Sequence, residues 1–159
     1  MSSYGTYVVD DSAWPLVYFG THGTITDAQF AEALTHLEKS CAGGRGKYAL
    51  LVNGHQGEFI GSAQRKITLD MMKRTAKVSA QNCFGVAVVL ASKLQQKALN
   101  GFLFFAPLKF PLVIKTSYAE AGDWLSAKAA AAGLDLEVIK SRQSLLTYVQ
   151  SIDPIHAEA

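Results

Sequence analysis

The sequence contains little cysteine, little proline and few charged residues. Of its 159 residues, 2 are cysteine and 4 are proline, and 18% are charged against 49% hydrophobic. The two cysteines, Cys41 and Cys83, fall inside apolar patterns, which favours buried free thiols of a reducing compartment over a disulfide scaffold or a metal site. The high apolar content excludes an intrinsically disordered chain and suits one globular domain.

The sequence also lacks a charge excess and a long hydrophobic run. Its 15 basic and 13 acidic residues leave a formal charge of +2, whereas nucleic-acid binders carry a basic excess. No stretch approaches the ~20 apolar residues of a membrane-spanning helix, and the start of the chain lacks the pattern of a secretion signal. We therefore expect a soluble, cytoplasmic protein with no nucleic-acid partner and no integral membrane segment.

Short apolar runs alternate along the chain with patterns of helical period. Two β-rich runs, at 7–10 and 16–20, are joined by a polar turn and predict a hairpin. Continuous apolar runs predict strands covered on both faces, as in parallel sheets, at 48–52 and 83–90. A further strand is predicted at 112–115. Helices are predicted to begin at the N-caps Thr26, Ser62, Ser92, Ser117 and Ser141. Alternating apolar residues at 134–138 allow a short edge strand.

This order of elements predicts an α/β protein with an open, mostly parallel sheet, an N-terminal β-hairpin and helices packed against the sheet. No internal repeat or linker interrupts the pattern. We expect a single domain over residues 1–152, followed by a flexible C-terminal tail at 153–159.

The stretch Glu58-Phe59-Ile60-Gly61-Ser62-Ala63, which follows the strand predicted at 48–52, resembles a motif of the STAS family. This SpoIIAA-like group includes the anti-sigma-factor antagonists. There, a Phe-Ile pair precedes an Asp-Ser-Ser-Gly motif whose serine is phosphorylated; of that motif, Ser62 alone is kept here. Residues 118–125 are similar to the start of the last helix in bacterial SpoIIAA-like proteins. The resemblance covers residues 5–132 and implies a STAS/SpoIIAA-like fold, a bacterial signal-transduction role through protein binding, and Ser62 as a candidate phosphorylation site.

The segment from Asn53 to Ser62 leads from the carboxyl end of a buried strand to a helix N-terminus. Open α/β sheets bind ligands at this edge, and helix N-termini attract anions. We predict a non-enzymatic regulatory module that docks a partner protein there through Asn53, His55, Glu58, Ser62, Arg65 and Lys66. Helix capping alone would also account for Ser62.

Residues 101–111 carry an unusual density of aromatic side chains. Successive helical residues point about 100° apart, so these rings cannot all share one buried face. Their candidate roles are internal packing, a homodimer interface or an apolar ligand surface formed by Phe102, Phe104, Phe105 and Phe110. The last role belongs to our alternative function, a small apolar ligand or lipid binder similar to the CRAL-TRIO relatives of this fold, with a pocket under the third helix.

A less favoured alternative is a small enzyme that uses His22 and His55. Both residues follow predicted strands, so they could lie on one rim of the sheet and act as an acid/base pair. However, the sequence has no zinc-binding helical histidine pair, phosphate-binding loop or nucleophile elbow. We therefore predict no catalytic residue, no metal and no cofactor.

Overall fold

The computed structural model of the protein describes residues 5–57, 61–104, 106 and 108–153. These residues form five strands, β1 (Thr6–Asp10), β2 (Leu16–Gly23), β3 (Tyr48–Gly57), β4 (Cys83–Val89) and β5 (Leu112–Lys115). They also form five α-helices, α1 (Asp27–Ser40), α2 (Ser62–Asn82), α3 (Lys93–Phe104), α4 (Tyr118–Ala131) and α5 (Arg142–Ile152). Short 3-10 helices lie at Gly43–Arg45 and Glu137–Ile139.

The five strands form one sheet in the order β1-β2-β3-β4-β5. β1 and β2 are antiparallel, and each later strand is parallel to its neighbour. The parallel pairs are connected through helices, as parallel crossovers require. The predicted α/β class, N-terminal hairpin and mostly parallel sheet are confirmed.

Helices cover both faces of this sheet, and β2 shows how the sequence divides between them. Leu16 and Tyr18 belong to a core shared with α4 and α5, whereas Val17 and Phe19 pack into a second core with α1. Side chains alternate between the faces of a strand, so two apolar faces require a continuous apolar run. The carboxyl edge of the parallel strands is where α2 and α3 begin.

Four of the five predicted helix starts are confirmed by side-chain hydrogen bonds. Thr26 forms a capping box with Gln29, and Ser141 forms one with Ser144. The Ser117 hydroxyl accepts from the amide of Glu120, and the Ser92 hydroxyl accepts from that of Gln95. Each bond satisfies an amide that has no partner within its helix.

The prediction that Ser62 caps the second helix is wrong. Gly61 is the N-cap, with no side-chain hydrogen bond, and Ser62 is the first residue of α2. The first intrahelical bond runs from the Arg65 amide to the Gly61 carbonyl at 2.9 Å. The polar segment after residue 52 is only partly a loop. β3 continues through it to Gly57, where it pairs with the end of β2 at Gly23.

The edge strand considered at 134–138 is not formed. Leu136 and Ile139 are buried at a spacing of three residues, and a 3-10 helix at Glu137–Ile139 connects them. This turn places both side chains in the core with α4 and α5. Three-residue spacing matches the 3-10 repeat rather than the two-residue repeat of a strand.

Two of the helices over the second face of the sheet, α2 and α3, pack more loosely than α4 and α5. α3 has no buried residue, and the only buried residues of α2 are Gln64 and Ser79. In α4, by contrast, five residues are buried: Tyr118, Ala121, Gly122, Leu125 and Ala129. None of the helices in the described ranges is long and apolar enough to cross a membrane.

Candidate functional site

A cavity of about 420 Å³ lies between the sheet and helices α1, α2 and α3. Its floor consists of strand side chains that include Phe19, Val52 and Val88. The helices contribute Leu34, Met71, Leu99 and other apolar residues. Ile67 and Met71 of α2 and Leu99 of α3 are only partly buried where they pack against this face, so the two helices leave the space between them and the strands unfilled. Its volume falls within the range of about 300–1,000 Å³ usual for small-molecule sites.

The polar side chains that line this cavity come from one end of it. They are Thr21, Thr24, Gln64, Arg65, Thr68 and Gln95. All belong to the carboxyl ends of strands, the segment just beyond them, or the first two turns of α2 and α3. The opposite end, near Leu37, Phe110 and Leu112, is apolar. The cavity is therefore amphipathic along its length.

Gln64 fixes the position of α2 at the polar end. Its side chain is 9% exposed and donates from Nε2 to the Ile25 carbonyl at 3.0 Å and to Asp27 Oδ1 at 3.2 Å. These bonds tie the first turn of α2 to the start of α1. Because Gln64 is held here, the neighbouring Arg65 lies at the rim of the cavity, exposed to solvent.

A second space of about 320 Å³ adjoins the first and shares Leu37, Met71 and Phe110 with it. Cys41 and Cys83, both free thiols, line this space. Burial raises the pKa of Cys41 to about 12 and that of Cys83 to about 11. The thiols are therefore protonated and poorly nucleophilic at neutral pH.

Asn53 lies in the core of the other face. It is fully buried, and its side-chain amide donates to the Tyr18 hydroxyl at 3.1 Å and also to the hydroxyl of Tyr118. Burial raises the pKa of Tyr118 to about 12 and that of Tyr18 much further. The Asn53 side chain thus serves an internal polar network, and a partner protein could not reach it without opening the core.

The other residues of the predicted docking rim have different positions. Ser62, Arg65 and Lys66 are exposed on the first turns of α2, and Lys66 forms an ion pair of 3.0 Å with Asp70. His55 is part of β3, where the structure describes the backbone. Glu58 lies outside the described residues. The structure therefore brings three of the six side chains together on the surface.

The four phenylalanines of the predicted apolar surface separate into different environments. Phe102 and Phe110 are half-buried and line the large cavity. Phe104, at the end of α3, is 83% exposed. Phe105 lies outside the described residues. Two of the four residues thus line the cavity.

The histidine pair belongs to neighbouring strands. His22 lies on β2 opposite Gln56 of β3, which places its backbone next to that of His55. Within the part of the chain that the structure describes, no group of three His, Cys, Asp or Glu side chains could hold a metal ion.

Comparison with known proteins identifies the fold. No protein-family profile and no curated protein matches this chain. Among solved structures, it is similar to an uncharacterised protein of the DUF3478 family with a SpoIIAA-like fold, from Shewanella loihica PV-4. The two share 19% sequence identity over 79% of this chain and 98% of the other, with a TM-score of 0.56. The α/β architecture described above is therefore a SpoIIAA-like fold, as the resemblance to STAS domains implied.

Proposed function

We propose that this protein is a non-catalytic binding protein that holds a small apolar ligand between its sheet and helices α1, α2 and α3. The observation that carries the proposal is the cavity of about 420 Å³ with its apolar lining. The cavity opens to solvent at the rim beside Arg65, so its apolar lining is in contact with water when no ligand covers it. An apolar chain would cover this lining, and each methylene that leaves water contributes about 0.8 kcal/mol.

The loose packing of α2 and α3 supports this proposal. Leu99 and Phe102 are half-buried on α3, and both line the cavity. Leu99 already packs against the strand cluster that contains Val86 and Val88, and a ligand would complete the burial of both side chains. The helix can adjust to the ligand because it has no fully buried residue.

The test is binding of 1-decanol by wild-type protein and two matched tryptophan variants, measured by displacement of a fluorescent apolar dye. Leu99→Trp fills the cavity, whereas Leu94→Trp places the same side chain at a position of α3 that is 65% exposed and does not line it. We expect Leu94→Trp to bind like wild type. Leu99→Trp should bind roughly tenfold more weakly, the loss expected when about two methylenes are displaced from the cavity.

Leu103→Trp, which also changes a lining residue, provides a second blocked variant if Leu99→Trp does not fold. Circular dichroism establishes that each variant is folded before binding is measured. Failure of wild-type protein to bind 1-decanol would contradict the proposal. So would equal binding by wild type and a folded, blocked variant.

We also propose a second function, docking of a regulatory partner protein at the first turns of α2, as the STAS resemblance implies for a bacterial signalling protein. It is favoured by the exposure of Ser62, Arg65 and Lys66 on adjacent turns. A phosphate on Ser62 would lie at the helix N-terminus beside two cations, which stabilise it.

Native mass spectrometry of protein purified from its own host should show a phosphate increment that maps to Ser62. An unmodified Ser62, together with unchanged capture of a partner by the Ser62→Glu/Lys66→Glu variant, would contradict this second function.

A further inference from the structure

The cavity is polar at the carboxyl edge of the sheet and apolar at the opposite end, which restricts the kind of ligand that fits it. A purely apolar ligand would place hydrocarbon against the side chains of Thr21, Thr24 and Arg65 at the polar end. Polar groups deprived of water without a new hydrogen bond are costly. The lining therefore matches a molecule that has a polar head and one apolar chain.

Arg65 determines the charge of that head. It is the one charged side chain among the described residues that line the cavity, and it lies at the polar end. No carboxylate of the described residues lies within ion-pair distance of it. Its neighbour Lys66 is already paired with Asp70, and Arg74 is paired with Glu38. Arg65 is thus the cation of α2 that is placed to meet an anion from the cavity.

Guanidinium groups bind carboxylates through two parallel hydrogen bonds, which sets the position of the head as well as its charge. The hydroxyls of Thr21 and Thr24 lie at the same end and can each donate to an anionic oxygen. The chain of such a ligand would extend toward Leu37 and Phe110 at the apolar end.

We propose that the ligand is a single-chain amphiphile of the fatty-acid class, with its carboxylate held by Arg65 at the carboxyl edge of the sheet. This inference rests on the proposed function and makes it specific, because it assigns the ligand a charge and an orientation. The head lies at the solvent-exposed rim, and the chain lies between the sheet and α3.

The test compares decanoate with 1-decanol, which have the same chain length and differ in the head group. Affinities at neutral pH are measured for wild type, Arg65→Gln and the matched control Lys66→Gln. A charge-assisted contact at an exposed rim contributes about 1 kcal/mol, or roughly fivefold in affinity. We expect Arg65→Gln to weaken decanoate about fivefold and to change 1-decanol less than about twofold. Lys66→Gln should leave both affinities unchanged.

The outcomes separate this inference from the function on which it rests. If 1-decanol and decanoate both bind and Arg65→Gln weakens them equally or not at all, the carboxylate assignment is overturned and apolar binding stands. If Lys66→Gln lowers decanoate affinity as much as Arg65→Gln does, a diffuse charge effect replaces a seated carboxylate, and the inference is again overturned. If wild-type protein binds neither compound, both proposals fail.

Discussion

The Tyr18 hydroxyl donates a hydrogen bond of 2.7 Å to Asp153 Oδ2. Tyr18 is fully buried on β2, and Asp153, the residue after α5, is 4% exposed. The bond therefore fastens the end of α5 to the sheet. Asp153 was expected to begin a flexible tail, but this residue is part of the core; residues 154–159 lie outside the described residues.

Removal of the Tyr18 hydroxyl should destabilise the protein. Tyr18→Phe leaves the buried Asp153 carboxyl group with one hydrogen-bond donor fewer. Loss of the partner of a buried polar group lowers the free energy of unfolding by about 1–3 kcal/mol. Tyr148→Phe, which removes a bond of 2.5 Å to Asp10, should cost less because Asp10 also accepts from the Ser12 hydroxyl at 2.7 Å. Urea unfolding measures the free energy of unfolding of both variants. A loss of stability in Tyr148→Phe that equals or exceeds the loss in Tyr18→Phe would contradict this prediction.

Gly20 should tolerate no side chain. A Cβ at this position would lie 2.7 Å from Asp153 Oδ2 and 2.8 Å from the Tyr18 hydroxyl, so the network would have to move. We expect Gly20→Ala to lower the free energy of unfolding by about 1–3 kcal/mol. Gly101→Ala is the matched control, because a Cβ there meets nothing within 4 Å in the interior of α3. It should raise stability by about 0.5–1 kcal/mol. Thermal unfolding should show a lower melting temperature for Gly20→Ala and a higher one for Gly101→Ala. Melting temperatures that shift in the same direction in both variants would contradict the prediction.

Ionisation of the buried Cys83 thiol should lower the free energy of unfolding at alkaline pH. The folded pKa of Cys83, about 11, lies above its ordinary value of 9.0 because burial disfavours the thiolate. The stabilising contribution of a group with a raised pKa is complete below the unfolded pKa and is lost as pH rises toward the folded one. Urea unfolding between pH 9 and 11 should therefore show a shallower decline in Cys83→Ala than in wild type. Parallel declines in the two proteins would contradict the assignment.

Phe104 should affect association more than folding. Because 83% of this residue is exposed, Phe104→Ser should change the free energy of unfolding by less than about 0.5 kcal/mol. If homodimers use the aromatic end of α3, which is one of the three roles considered for the phenylalanine run, native mass spectrometry should show a smaller dimer fraction in this variant. Phe102→Ser, which changes a cavity residue, should instead reduce the affinity for 1-decanol. A dimer fraction unaffected by Phe104→Ser would exclude this residue from the interface.

The sequence was informative about the fold because its signals are local. Capping residues such as Thr26 and Ser141 act within one turn of a helix, and continuous apolar runs identify strands that are covered on both faces. Ser62 misled this reasoning because serine is common at both the N-cap and the first helical position, while the cap itself is Gly61. The extension of β3 to Gly57 depends on pairing with β2, which is not a local signal.

The site was harder to predict for the same reason. Phe102 and Phe110 were identified from an excess of aromatic residues, but the volume beneath α3 depends on how far that helix stands from the sheet. Asn53 was expected on the surface because it follows an apolar run, and its contacts with Tyr18 and Tyr118 join residues distant in sequence. The sequence marks Gln64 in one way, because a glutamine stands where the STAS motif has its glycine. Its hydrogen bond to the Ile25 carbonyl joins residues distant in sequence and could not be predicted from that substitution.

The unequal packing of the two faces also divides the protein by local stability. Amide hydrogens in segments with few buried contacts exchange with solvent through local opening, whereas those in a dense core exchange through global unfolding. α3, which has no buried residue, belongs to the first class, and α4 belongs to the second. We therefore expect α3 to open and close while the tyrosine network keeps the other face of the sheet intact, which would let the proposed ligand enter and leave without unfolding the protein.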